Sequence, residues 1–219
     1  MIRKISTLMV AALFFCTTSY GSTQTKQQNS NEVATEVGQG NSDTPNINEL
    51  KAKAKQGDAE AQSKLGVCYY KGEGVKRNYA KAVKWWQKAA EQGFAEAQSK
   101  LGACYYYGEG VTRNYAKAAK WWQKAAEQGN KEAQGVLGAC YAHGKGVKRD
   151  YEEAVKWWQK AAEQGFAMAQ YHLGLCYAHG KGVKQNYAKA IVWYRKAAEQ
   201  GNKKAMVAIL EILSNLGKK

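Results

Sequence analysis

The sequence predicts an all-α fold in which similar helical hairpins stack as a solenoid. The first observation is a 36-residue repeat, without insertions or deletions, marked by cysteine, tryptophan and glycine at fixed places. Such a period is typical of repeat proteins, whose units bury their apolar faces only against neighbouring units. The second observation is that Pro45 is the single proline of the 219 residues, so no proline interrupts a helix after it. The recurring positions are Cys68, Cys104, Cys140 and Cys176; Trp85, Trp121, Trp157 and Trp193; and Gly93, Gly129, Gly165 and Gly201.

Residues 1–21 have the pattern of a secretory signal peptide. Two basic residues precede a short apolar run, and Ser19 and Gly21 supply the small residues required for cleavage after Gly21. The apolar run is too short to span a bilayer as a helix. The alternative is a lipoprotein signal with Cys16 as the acylated residue, which two large phenylalanines before that cysteine disfavour. We therefore expect an exported protein, either periplasmic or secreted.

The remaining chain divides into a linker, four repeats and two capping helices. Few apolar residues occur between the signal and the first helix, which is typical of a flexible polar linker. Ile209, Leu210, Ile212 and Leu213 of the last helix are expected to cover the final layer. The segments are the linker at 22–46, the N-terminal capping helix at 47–57, the repeats at 58–93, 94–129, 130–165 and 166–201, and the C-terminal capping helix at 202–219.

Each repeat is predicted to form two helices. In the first repeat, helix A runs from about Asp58 to Tyr70, because apolar residues recur there with helical spacing and glycines follow. Helix B runs from about Tyr79 to Gln92, after an asparagine that suits an N-cap. Adjacent residues on a helix point about 100° apart, so only one member of each tryptophan pair faces the core fully. We expect the first member to face the core, the alternative being the second, and we expect the second members to be partly exposed (Trp86, Trp122, Trp158 and Tyr194).

The repeated pattern A-x-x-x-L-G-x-x-Y-x-x-G-x-G-V-x-x-[ND]-Y-x-x-A-x-x-W-[WY]-x-x-A-A-x-Q-G resembles the Sel1-like repeat in all four units. That family is a relative of the tetratricopeptide repeat with a longer loop inside the hairpin. The resemblance implies a right-handed superhelix of helical hairpins. Members are usually adaptor proteins, and exported bacterial members often take part in host interaction or envelope processes, so the resemblance implies a protein-binding scaffold.

A concave groove is the expected binding surface. The four units differ most at certain positions of helix A, and in tetratricopeptide-like stacks helix A lines the concave side. Residues that build the stack meet the same neighbour in every unit, whereas groove residues are free to diverge. We expect a protein or peptide to bind there, the alternative being neutral drift on a solvated face. The expected groove residues are Tyr70, Tyr106, Tyr107, His143, Tyr171, His172 and His179.

Lysines on the outer face of helix B form a second candidate surface. The chain carries a formal net charge of +15, which favours anionic partners. One interpretation is a solvated face that keeps the protein soluble. The other is a strip that follows an anionic envelope glycan or other polymer; nucleic acid is not expected, because the aromatic residues do not interleave with these lysines. The basic strip consists of Lys84, Lys88, Lys120, Lys124, Lys156, Lys160 and Lys196.

No catalytic residue, metal site or cofactor is predicted. Equivalent cysteines on layers about 8–10 Å apart are too distant for disulfides, so we expect four buried free thiols. No His-Glu-x-x-His or Cys-x-x-Cys occurs. Some cysteine-rich relatives in the resembling family are described as penicillin-binding or weak β-lactamase proteins. This sequence lacks their paired cysteines and has no Ser-x-x-Lys, Ser-Asp-Asn or Lys-Thr-Gly, so an enzymatic function rests on resemblance alone.

Overall fold

The computed structural model describes residues 46–216, which form ten α-helices and no β-strand. Each repeat contributes one hairpin, and each helix packs against the helices before and after it in the chain. The predicted all-α stack of hairpins is therefore confirmed. The predicted signal peptide and all of the predicted linker except Asn46 lie outside the described residues. The helices are α1 (Ile47–Lys55), α2 (Ala59–Lys71), α3 (Tyr79–Glu91), α4 (Ala95–Tyr107), α5 (Tyr115–Glu127), α6 (Lys131–His143), α7 (Tyr151–Glu163), α8 (Ala167–His179), α9 (Tyr187–Glu199) and α10 (Lys203–Leu216).

Side-chain caps and glycines fix where each hairpin turns. Asn78 accepts a hydrogen bond from the Lys81 amide at the start of α3, and Asp150 caps α7 in the same way. Gly72 ends α2 with φ +87°, a left-handed conformation that glycine adopts without strain. The helices of the first repeat consequently begin and end within one residue of the bounds that the sequence predicts.

The tryptophan pairs are oriented opposite to the prediction. The second member is the buried one, with Trp86 3% and Trp122 1% exposed, whereas Trp85 and Trp121 are half-buried. The second ring packs directly against a glycine of helix A, so that a Cβ built at Gly102 would lie only 2.7 Å from Nε1 of Trp122. Its Nε1–H also donates to a helix A carbonyl in the first three repeats, as from Trp122 to Ser99 at 3.0 Å.

Buried glutamines join successive helices. Nε2 of Gln134 in α6 donates to the Ala126 carbonyl of α5 at 3.0 Å, and Oε1 of Gln134 accepts from Nε2 of Gln164 at 2.8 Å. The same two bonds occur in every repeat. Because a buried polar group without a partner is costly, this pairing specifies how each hairpin sits on the preceding one. The central glutamines are Gln62, Gln98, Gln134 and Gln170.

The last helix covers the stack only partly. Ile212 is buried and Ile209 is half-buried, as predicted, but Leu210 is 62% and Leu213 is 52% exposed. The prediction for these two leucines is wrong, because their face of α10 corresponds to the helix A face that helix B covers in each complete repeat. No helix follows α10 in the described part of the chain to cover that face.

Candidate functional site

The seven expected groove residues lie on the first helix of successive repeats. Tyr70 is on α2, Tyr106 and Tyr107 are on α4, and His143 ends α6, while the other three are on α8. The tyrosines and His172 are half-buried, whereas His143 and His179 are exposed. The groove residues are therefore partly accessible aromatic side chains on consecutive layers, with the tyrosines concentrated in the first two repeats and the histidines in the last two.

Tyr106 lies at the centre of an aromatic cluster. Its ring centroid is 4.9 Å from that of Tyr115, 5.1 Å from that of Tyr107 and 5.4 Å from that of Trp122. These separations are typical of favourable aromatic pairs. The contact with the buried Trp122 restricts the Tyr106 ring. The tyrosine therefore presents a rigid aromatic surface, and a partner that binds it would lose little side-chain entropy.

Tyr70 occupies the equivalent place one layer earlier. Its ring lies 5.0 Å from Tyr79 and 5.5 Å from Trp86. Its hydroxyl donates to Oε2 of Glu109 at 2.9 Å, which links the first hairpin to the loop of the second. Burial and the neighbouring Glu109 carboxylate raise the pKa of Tyr70, so the hydroxyl stays protonated at neutral pH.

His172 is held against the core at the C-terminal end of the groove. Its imidazole stacks on the Trp158 indole with centroids 4.8 Å apart and planes 12° apart. Tyr171 lies 5.5 Å from His172 and 5.7 Å from Tyr194. Burial, then the nearby His143 and Lys204, lower the pKa of His172 to about 4, because each disfavours the charged imidazolium.

Stability should therefore fall when the pH falls from about 6.5 towards 4. Over this window His172 takes up a proton in the unfolded chain but not in the folded chain, so acid favours unfolding. We expect a loss of about 2 kcal/mol after allowing for the partial exposure of the ring. Urea denaturation at pH 7 and pH 4.5 measures this loss for the wild type and for His172→Val, which carries the residue of the equivalent Val136.

The pH-dependence of His172→Val should be weaker than that of the wild type by this amount. His179→Gln is the control, because His179 is exposed on the same helix. An equal pH-dependence of the wild type and His172→Val would contradict the assignment.

The basic strip lies on the second helix of the repeats, and its lysines are exposed. Four of them stand over the half-buried first tryptophan of each pair. The structure therefore corrects the prediction that the aromatic residues do not interleave with these lysines. The Nζ-to-centroid distances are 4.7 Å for Lys88 on Trp85, 4.6 Å for Lys124 on Trp121, 4.5 Å for Lys160 on Trp157 and 4.5 Å for Lys196 on Trp193.

The strip has few carboxylate partners. Within residues 46–216, Lys156 is the strip residue with an ion pair, to Glu153 at 2.6 Å. In the first three repeats, the glutamates that end the second helices accept hydrogen bonds from glutamines instead, as Glu91 does from Gln87 at 2.6 Å. Cation–π contacts restrict the lysine side chains without neutralising them. The outer face therefore presents oriented ammonium groups.

The four repeat cysteines are buried free thiols, as the sequence predicts. Burial raises the pKa of Cys104, Cys140 and Cys176 to about 12, so these thiols remain protonated and unreactive at neutral pH. Among residues 46–216, no group of three or more His, Cys, Asp or Glu side chains is placed to hold a metal ion. In the same range, no helix is both long and apolar enough to cross a membrane.

Two features of the structure are absent from the sequence-based predictions. The buried glutamines recur every 36 residues, and this period could have identified them. They were missed because polar residues are not expected in a core. A cavity of about 510 Å³ lies at the C-terminal end of the stack and is lined by Tyr171, His179 and residues of α9 and α10. It lies between the last complete hairpin and α10, which no helix follows within residues 46–216.

The Sel1 repeat family model matches this chain four times in succession, over residues 59–94, 95–130, 131–166 and 167–202. Among curated proteins, the DAP3-binding cell death enhancer 1 of Rattus norvegicus is 44% identical over 52 residues. That match covers 21% of this chain and 10% of the rat protein. The chain therefore spans a small part of this relative.

Two solved structures extend the similarity to the fold. A protective antigen of uropathogenic Escherichia coli strains that displays an SLR fold is 41% identical, with a TM-score of 0.75. The match covers 77% of this chain and 36% of the antigen chain. A Sel1 repeat protein from Oxalobacter formigenes is 39% identical, with a TM-score of 0.69, and the match covers 74% of this chain and 65% of that chain.

Proposed function

Because the chain belongs to the Sel1 repeat family, whose solenoids generally serve as protein–protein interaction scaffolds, we propose that it binds a peptide or protein in its concave groove. The observation that carries the proposal is the row of half-buried aromatic residues on successive first helices, above all Tyr106 on its support of Trp122. Rigid tyrosines offer apolar area and a hydroxyl to a partner, and such residues often dominate binding energy. Tyr107 extends this surface beside Tyr106.

We also propose that the scaffold is exported. The support for this is the signal-peptide pattern of residues 1–21. The partner would then be a protein or peptide of the envelope or of the surroundings of the cell.

Peptide selection on the immobilised full chain tests the groove. Peptides enriched on the wild type should bind Tyr106→Ala/Tyr107→His about 10- to 100-fold more weakly, the usual cost of losing an aromatic hot spot. Both replacements should preserve the fold, because Ala142 and His143 occupy the same places in the third repeat.

Tyr105→Ala is the matched control for the groove. Tyr105 is half-buried on the same helix but contacts Lys117 of the basic-strip side, with Nζ 5.5 Å from its ring. Affinity should survive this control. Equal affinity for the wild type and the groove variant, with both folded by circular dichroism, would refute binding through Tyr106 and Tyr107.

A second candidate function is binding of an anionic polymer along the basic strip. The specific support is that most strip lysines lack a carboxylate partner within residues 46–216 and that four are oriented by tryptophan rings. An anionic polysaccharide could pair with these ammonium groups one layer at a time. Its chemistry differs from that of the groove, because charge rather than apolar area would supply the affinity.

Heparin, used as a polyanionic probe, should bind with an affinity that falls steeply as salt rises. Replacing Lys88, Lys124, Lys160 and Lys196 by glutamine should lower the slope of log affinity against log salt by roughly one for each lysine in contact. The control replaces four other exposed lysines, Lys55, Lys76, Lys148 and Lys184, and has the same net charge. Equal slopes for the two quadruple variants would mean that heparin senses net charge rather than the strip.

A further inference from the structure

The cavity at the C-terminal end of the stack has the walls and the charges of a small-ligand site. Its volume of about 510 Å³ falls in the range of ligand pockets, which is about 300–1,000 Å³. Leu175, Val207 and Ile212 supply apolar walls, and Tyr171 and Tyr194 supply hydroxyl groups. The cavity shares Tyr171 and His179 with the groove, and its other walls come from Leu175 and Ala178 of α8 and from α9 and α10.

Tyr194 is the polar group that points to a ligand. Its ring replaces the buried tryptophan of the other repeats and packs on Gly174, so that it is 1% exposed. The replaced tryptophans donate their Nε1–H to a helix A carbonyl, as Trp158 does to Gly135 at 3.0 Å. The Tyr194 hydroxyl makes no hydrogen bond within residues 46–216, although it belongs to a nearly fully buried side chain that lines the cavity. A hydroxyl without a protein partner beside the cavity is available to hydrogen-bond a ligand group there.

The charges on the cavity wall are separated along α10. Lys204 occupies the place that glutamate holds in the first three repeats (Glu60, Glu96 and Glu132). Cations are unfavourable in the first turn of a helix, so this reversal has no benefit for the helix itself. Glu211 follows two turns later, about 10 Å along the axis. Within residues 46–216, Lys203, Lys204 and Glu211 form no ion pair, and all three line the cavity.

We propose that this end cavity binds a short apolar peptide of about three residues with both termini free. Three extended residues span about 10 Å, which matches the separation of the positive and negative ends of the cavity. The peptide carboxylate pairs with Lys203 and Lys204, the ammonium group pairs with Glu211, and the Tyr194 hydroxyl donates to a peptide carbonyl. The side chains lie against Leu175, Val207 and Ile212.

This site does not depend on a partner in the rest of the groove. A long peptide that crosses the groove would leave at most one terminus here, whereas the end cavity needs both ends of the same short molecule. Failure of the Tyr106 and Tyr107 experiment would therefore leave this inference intact, and the reverse also holds.

Trileucine, titrated into the full chain by calorimetry at low ionic strength, tests the assignment. N-acetylation removes the ammonium group and amidation removes the carboxylate, and each should weaken wild-type binding roughly two- to fivefold, the worth of an exposed ion pair. N-acetylation should not lower the affinity of Glu211→Gln for the peptide, because the partner of the ammonium group is already absent. For the same reason, amidation should not lower the affinity of Lys203→Gln/Lys204→Gln. Tyr194→Phe should weaken binding of the uncapped peptide.

The control Lys76→Gln/Lys148→Gln removes two exposed loop lysines and should retain both cap effects. Thermal melts verify that every variant is folded. The proposal is overturned if trileucine does not bind, if capped and free peptides bind the wild type equally, or if the cap effects persist in the variants that remove their partners. Unchanged affinity of Tyr194→Phe would overturn the role of the hydroxyl.

Discussion

Trp122→Ala is expected to lower the free energy of unfolding by about 4 kcal/mol, and Trp121→Ala by only about 1–2 kcal/mol. The two residues are adjacent and chemically identical, so their burial accounts for the difference. Trp122 is 1% exposed, packs on Gly102 and donates to the Ser99 carbonyl, whereas Trp121 is half-buried beneath Lys124. Truncating Trp122 therefore leaves a cavity and removes the indole hydrogen bond to the Ser99 carbonyl, while truncating Trp121 removes partly exposed area and a cation–π contact.

Urea denaturation followed by circular dichroism at 222 nm measures both losses. The same comparison at Trp157 and Trp158 is an internal replicate, because the geometry recurs one layer later. Equal losses at Trp121 and Trp122 would contradict the observed orientation of the pair. A larger loss at Trp121 would support the orientation that the sequence predicts, with Trp121 buried.

Helix bounds were predictable because the residues that set them act locally. An asparagine before α3 and a glycine after α2 determine where the helices begin and end without reference to neighbouring layers. The buried member of each tryptophan pair was not predictable in this way. Both members follow helical spacing, and the choice depends on Gly66, which lies on the partner helix and approaches Trp86 only in the folded hairpin.

The candidate surfaces were predictable to different degrees. Divergence between repeats marked the groove residues, and the structure places them on the first helices. The cation–π contacts of the basic strip depend on side-chain direction, which spacing alone did not reveal. The end cavity depends on Tyr194, which replaces the tryptophan of the other repeats, and on α10, which no second helix follows within residues 46–216.

Gly102→Ala is expected to lower the free energy of unfolding by about 2–4 kcal/mol, although the same change in an ordinary helix raises it by about 1 kcal/mol. Gly102 lies inside α4, and a Cβ built there would be 2.7 Å from Nε1 and 2.8 Å from Cδ1 of Trp122. The indole packs between α4 and α5, so it can make room for the added methyl group only in two ways. Either it loses its hydrogen bond to the Ser99 carbonyl, or α4 and α5 move apart. The gain in helix propensity is smaller than the free-energy cost of the lost hydrogen bond or of the separated helices.

A double-mutant cycle with Trp122→Ala separates this clash from a general effect on the helix. Once the indole is absent, the added methyl group has space, so Gly102→Ala should become neutral or stabilising in that background. The coupling between the two sites should then amount to about 3 kcal/mol, measured from the four urea denaturation curves. Additive losses would mean that Gly102 is required by the backbone rather than by the ring. The recurrence of glycine at Gly66, Gly138 and Gly174 would then have a cause other than close packing against the facing aromatic residue.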